Sequence, residues 1–217
     1  MTHKYQVLTF DWDGTLMDSL AHITHCMYMA ICDLGWPIQD PEQLKPLIGT
    51  DIGFLLAKIV PNYTPQQQDA FISRYRHYAF SIPQSYDLFH GTQELLLQLK
   101  QDGFQLAVAT GKSRRGLELA LDNTGVRHLF DFTICADEAF PKPHPQMLLE
   151  LMLQLVVQPS DVLMIGDSEF DIDFARNAGV DAVAVATGVH DKSRLLASNP
   201  LSCFDNITEL KAWLSQS

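Results

Sequence analysis

Apolar positions follow two rhythms along this chain, and the change from one to the other divides it. About residues 5–10 form a short apolar run of strand type. The spacing then turns helical and stays so to about residue 82. Leu20, Ile23, Met27, Ile31 and Leu34 share one face of a helix that Asp18 or Ser19 can cap, and Gly35 and Pro37 stop it. Asp51 is placed to cap a short helix over 52–60. Thr64-Pro65 starts another, to Ile82, whose stripe of Phe71, Tyr75, Tyr78 and Ile82 reads as core.

From Gly91 strands and helices alternate. The pattern predicts helices over 92–101, 113–124 and 145–157, one after Asp167 to 178, and short ones near 192–197 and 208–215. Between them lie strands over 105–110, 132–135, 162–165 and 182–186. Strands joined by helices imply right-handed crossovers, and the unbroken runs LAVAT, VLMIG and AVAVA suit strands buried on both faces. The expected class is α/β: a Rossmann-like parallel sheet covered by helices on both faces, with an all-helical cap inserted after the first strand. Residues 18–82 would be the cap, and 1–17 with 83–217 the core.

Composition narrows the function. At 217 residues the chain buries a core without disulfides or metal. Its 26 acidic and 15 basic residues, a formal charge of −11, work against nucleic acid and anionic membranes. Cys26, Cys32, Cys135 and Cys203 form no C-x-x-C pair and read as buried thiols in a reducing compartment. No apolar run approaches the ~18 residues of a membrane span, and Asp11 precedes any signal-peptide core. The expectation is a soluble cytoplasmic protein, monomer or homodimer.

In an open parallel sheet, ligands bind beyond the carboxyl ends of the strands. The first strand ends in Asp11 and Asp13, which extended geometry turns to the same side. Two close carboxylates raise each other's pKa unless a cation sits between them. The second strand ends in Thr110-Gly111-Lys112-Ser113, the third leads to Pro141-Lys142-Pro143, and the fourth ends in Gly166-Asp167-Ser168 before Asp171 and Asp173. Each has an ordinary alternative: Asp13-Gly14 as a turn, Thr110 as a strand former, Ser113 and Asp167 as helix caps, Lys142 as a solvated cation. Together they put a hydroxyl, a cation and several carboxylates on one sheet edge, which suits a phosphate beside a hard divalent metal such as magnesium.

Asp11-Trp12-Asp13-Gly14-Thr15, Ala109-Thr110-Gly111, Lys142 and Gly166-Asp167-x-x-x-Asp171 resemble the four ordered motifs of the haloacid dehalogenase-like hydrolase superfamily, closest to its phosphoglycolate phosphatase-like enzymes. The likeness extends to the helical cap and to Phe140–Pro145. It implies a phosphatase that needs Mg2+ and acts on a small phosphorylated metabolite through an aspartyl phosphate. Asp11 would be nucleophile and Asp13 general acid and base, with Thr110 and Lys142 holding the transferring phosphoryl group. Asp11, the Asp13 carbonyl, Asp167 and Asp171 would serve the metal. Gly14, Thr15, Gly111, Lys112 and, from the cap loop, Gly49 and Thr50 would meet the substrate.

Asp13 argues against dehalogenation, whose enzymes lack that acid. Trp12 departs from the usual Leu or Phe, and its side chain is expected to point away from the two aspartates. A sugar-phosphate mutase of similar build would carry an arginine about where Ile52 stands. A receiver-like or idle phosphate-binding protein is the non-enzyme alternative, but receivers are ~120 residues without an insertion. Within the cap, His22 and His25 read as surface or satisfied residues, and Lys58, Arg74 and Arg76 as solvated cations; Lys112, Arg114 and Arg115 are better placed to meet a substrate carboxylate. Thr15–Ser19 and Ser81–His90 would be the hinges.

Overall fold

A computed structural model describes residues 4–37, 40–49 and 52–215; Thr50 and Asp51 lie outside the described residues. Strand β1 (Val7–Phe10) is followed by three α-helices, α1 (Leu20–Asp33), α2 (Ile52–Ile59) and α3 (Pro65–Ser81). Alternation then begins with α4 (Thr92–Gln101), β2 (Gln105–Thr110), α5 (Arg114–Thr124), β3 (Phe132–Cys135) and α6 (Gln146–Leu155). It continues through β4 (Val162–Gly166), α7 (Glu169–Ala178), β5 (Asp181–Val185), α8 (Lys192–Ala197), β6 (Cys203–Phe204) and α9 (Glu209–Leu214).

The six strands form one parallel sheet in the order β3-β2-β1-β4-β5-β6, the α/β class expected. β1 is central, with Phe10 level with Val108 on one side and Ile165 on the other. The pleat sends alternate residues to opposite layers. Leu8, Phe10, Val108 and Ile165 pack with α4, α5 and α9 on one face. Val7, Ala107, Ala109 and Met164 pack with α6, α7 and α8 on the other. β6 was not anticipated, because two residues are too few to carry an alternating signal.

Leu20, Ile23, Met27 and Ile31 of α1, with Leu44, Ile48, Leu55, Leu56 and Phe71, close a third apolar cluster among the helices between β1 and α4. A capping box at Thr64 and Gln67 starts α3. The two chain segments linking this cluster to the sheet run side by side. Asp18 N–H donates to Asp87 carbonyl at 2.9 Å, Phe89 N–H donates to Leu16 carbonyl at 3.0 Å, and Met17 bridges Leu88.

Candidate active site

Asp11 is the first residue past β1, and its N–H still bonds the Ile165 carbonyl at 2.9 Å, so extended geometry persists beyond Phe10. Trp12 accordingly turns to the other layer, fully buried against Phe130, with its indole N–H on Met17 Sδ at 3.2 Å. Asp167 follows β4, and Asp171 lies in the first turn of α7. Oxygens of Asp11, Asp167 and Asp171 lie within 4.8 Å of one another, and all three residues are buried.

Lys142, 3% exposed, enters this group from the loop after β3, with its ammonium 2.8 Å from Asp11 Oδ1 and 2.6 Å from Asp171 Oδ1. Burial disfavours the ammonium, yet the Asp11 and Asp171 carboxylates raise its pKa above the ordinary lysine value. Burial pushes the Asp11 carboxyl up to about 7, with Lys142 opposing and Asp171 adding to the rise. Asp167 is raised well above the carboxylate range, by burial first and then by Asp171 and Asp11. It accepts from Thr15 Oγ1 at 2.8 Å and Val189 N–H at 2.7 Å and has no cationic partner among the described residues. Three buried carboxylates against one ammonium form a hard, all-oxygen donor set short of positive charge, which fits a divalent magnesium ion.

Asp13 stands apart from that trio. Its carboxylate meets Lys112 Nζ at 2.9 Å and accepts from Ser19 Oγ at 2.5 Å. Ser19 does precede α1, but its hydroxyl is engaged by Asp13 and makes no cap. Thr110 closes β2 with its hydroxyl oxygen accepting from Lys112 N–H at 3.1 Å, which turns the chain so that the Lys112 side chain reaches Asp13.

A cavity of about 340 Å3 opens over these groups, lined from the sheet by Asp11, Asp13, Thr110, Gly111, Lys112, Lys142, Asp167 and Asp171. Gly49 reaches it from the helical side and packs its backbone against Gly111. Gly14 and Thr15 do not line it. Thr15 is fully buried, with its hydroxyl supporting Asp167, and the Gly14 carbonyl accepts from Thr187 Oγ1 at 2.7 Å. Thr50 lies outside the described residues. Arg114 is likewise withdrawn: its guanidinium is fixed by Glu118, Glu138 and Thr133. Tyr75, expected in the core, lines the cavity, as does His22, which is satisfied as expected, its Nε2 lying 3.4 Å from Cys26 Sγ; of the cysteines expected to be buried, Cys32 is exposed and Cys203 half-buried.

Three supporting groups escaped the sequence reading. Ser168 N–H and Oγ donate to Asp171 Oδ2 at 3.0 and 2.6 Å, and the Ser168-x-x-Asp171 capping-box spacing was a usable signal. Ser19 carried none. The Val189 N–H contact on Asp167 depends on Gly188, where an added Cβ would overlap Asp167 Oδ2. A Cβ at Gly14, whose φ is +85°, would lie 2.5 Å from the same oxygen.

The profile of the haloacid dehalogenase-like hydrolase family matches residues 8–185. The probable phosphatase IndB of Dickeya dadantii is 32% identical over 211 residues, covering 94% of this chain and 91% of the relative. A phosphoglycolate phosphatase of Vibrio parahaemolyticus is 30% identical over 215 residues, covering 94% of each. A haloacid dehalogenase-like hydrolase of Bacteroides fragilis superposes with a TM-score of 0.89 at 26% identity, over 95% of this chain and all of the other (100%).

Proposed function

The chain belongs to the haloacid dehalogenase-like hydrolases, and on that premise we propose that it is a magnesium-dependent phosphatase of small phosphomonoesters. The observation that carries this reading is the trio Asp11, Asp167 and Asp171 with Lys142 between two of them, at the end of the central strand and under the cavity.

Asp11 attacks phosphorus in line, the P–O bond to the alcohol breaks, and an aspartyl phosphate forms. Asp13 gives its proton to the departing alkoxide, then takes one from the water that hydrolyses the acyl phosphate. Lys112 and Ser19 hold the Asp13 carboxylate for both transfers. Thr110 and Lys142 supply a hydroxyl and a cation to the transferring oxygens. Magnesium would be held by Asp11, the Asp13 carbonyl and Asp167, with Asp171 beside them. It supplies charge neutralisation for the phosphoryl oxygens. Asp171 also orients Lys142, which leaves the lysine poised against both nucleophile and phosphate.

A mutase must hold a second phosphate on its sugar. Ile52 lines the cavity about where such an enzyme would carry arginine, so hydrolysis is the better reading. The relatives' names put phosphoglycolate on the substrate panel. Release of inorganic phosphate from such a panel, with Mg2+ and with EDTA, tests the proposal. Turnover is expected only with Mg2+ and should vanish in Asp11→Asn. EDTA-resistant turnover, or full activity in Asp11→Asn, would sink it.

A further inference from the structure

The cavity has two unlike halves. The sheet half is charged and fits a phosphate; the half facing the helices is lined mainly by apolar side chains, among them Ile23, Met27, Ile48, Leu55, Phe71 and Ile72, with His22, Tyr75, Gln84 and Tyr86 as polar members. Tyr75 stacks on Phe71 with ring centroids 6.3 Å apart, extending the aromatic wall. Resting on the phosphomonoester reading above, we propose that the alcohol this enzyme releases is uncharged and largely apolar, an aryl or hydrocarbon alcohol and not a carboxylated or polyhydroxylated one.

Charge placement carries the argument as much as the apolar wall. Glycolate puts a carboxylate one carbon away from the ester carbon, so that charge must sit inside the cavity and needs a buried cation. Lys142 is engaged by Asp11 and Asp171, and Lys112 by Asp13. Burial holds the His22 imidazole below its ordinary pKa, which weakens it as a cation for a carboxylate. Arg76 is exposed at the rim, where the cavity meets an outer cleft also lined by His77 and Arg115; a hydrated guanidinium there is a weak anchor for a carboxylate. Among the described residues no cation is free inside the apolar half. Sugar hydroxyls would have His22, Tyr75, Gln84 and Tyr86 as partners there, too few to serve a polyol without setting its other hydroxyls against the apolar side chains. At about 340 Å3 the space lies near the small end of the ~300–1,000 Å3 typical of ligand pockets, which suits a single ring or a short chain beyond the phosphate.

The test compares kcat/KM for benzyl phosphate, hexyl phosphate, phosphoglycolate and glucose 6-phosphate, all primary alkyl esters. Acetyl phosphate, activated and too short to reach the apolar wall, reads the chemistry of the sheet half alone. Benzyl or hexyl phosphate should exceed phosphoglycolate by at least about tenfold, the gain expected from burying roughly two methylenes. Ile72→Lys, at a half-buried position, should shift that ratio toward phosphoglycolate by about tenfold or more. Calorimetric binding of the same four esters to Asp11→Asn with Mg2+ should keep the order without turnover. Preference for phosphoglycolate or glucose 6-phosphate in rate or binding overturns the inference and leaves the phosphatase reading intact. Failure to hydrolyse every ester and acetyl phosphate overturns both.

Discussion

Replacing Lys142 by methionine keeps most of the length and apolar stem of the side chain and removes its charge. The ammonium is 3% exposed and lies 2.8 Å from Asp11 and 2.6 Å from Asp171. At an effective dielectric near 20, each contact amounts to roughly 6 kcal/mol of attraction before desolvation is subtracted. Most of that attraction cancels against the cost of taking the charges out of water. A variant reads instead the cost of leaving carboxylates buried without their cation, roughly 3–5 kcal/mol. Against a total stability of roughly 5–15 kcal/mol this is a large loss. For a chain of this size it corresponds to a Tm about 6–20 °C lower.

Urea denaturation of the metal-free protein at pH 8 measures that loss. Lys142→Met combined with Asp171→Asn removes one of the carboxylates left unpaired and keeps an amide oxygen for Ser168. The double variant should therefore recover roughly 1–3 kcal/mol relative to the single. A single variant that loses under about 1 kcal/mol, or a double less stable than the single, would refute the view that Lys142 neutralises this trio.

Two further outcomes are expected. In Gly188→Ala the new methyl displaces Asp167 from Val189 N–H, so the Mg2+ concentration for half-maximal phosphate release should rise about 10–100-fold; an unchanged midpoint would count against Asp167 as a metal ligand. Burial raises Asp11 to about 7 and Asp167 well above the ordinary aspartate value of 3.8, so the folded metal-free protein binds more protons than the unfolded one between those limits. The stability these carboxyls contribute is full below 3.8 and is lost as pH rises through about 7. The rise in Tm on adding Mg2+ should accordingly be larger at pH 8 than at pH 5.5, and equal rises would contradict the assignment.

Elements with many residues of one rhythm were readable from the chain alone: β2, β3, α4 and α8 begin and end where their patterns do. Groups whose chemistry is carried by a backbone atom were not, because Val189 contributes an N–H that every residue but proline possesses. Thr15 illustrates the other difficulty. Its motif marks it as part of the site, yet one hydrogen bond decides whether the hydroxyl faces a ligand or a neighbouring carboxylate, and only packing reveals that it faces Asp167. Tyr75 sits on a stripe that equally suits core or cavity wall. A helix face cannot announce how much space lies in front of it.

The position of β1 explains why so few residues suffice. A strand with parallel neighbours on both sides ends beside two other carboxyl ends, and here those belong to β2 and β4. Asp13 thus meets Lys112 on one flank and Asp11 lies beside Asp167 on the other, without any long excursion of the chain. Edge strands have one such neighbour, so the same Asp-x-Asp on β3 or β6 would have one flanking strand end to meet instead of two. Departure of the helical insertion directly after this strand adds the last component. Ser19, one residue before α1, bonds Asp13, so this carboxylate is tied on one side to the loop after β2 through Lys112 and on the other to the start of the first helix.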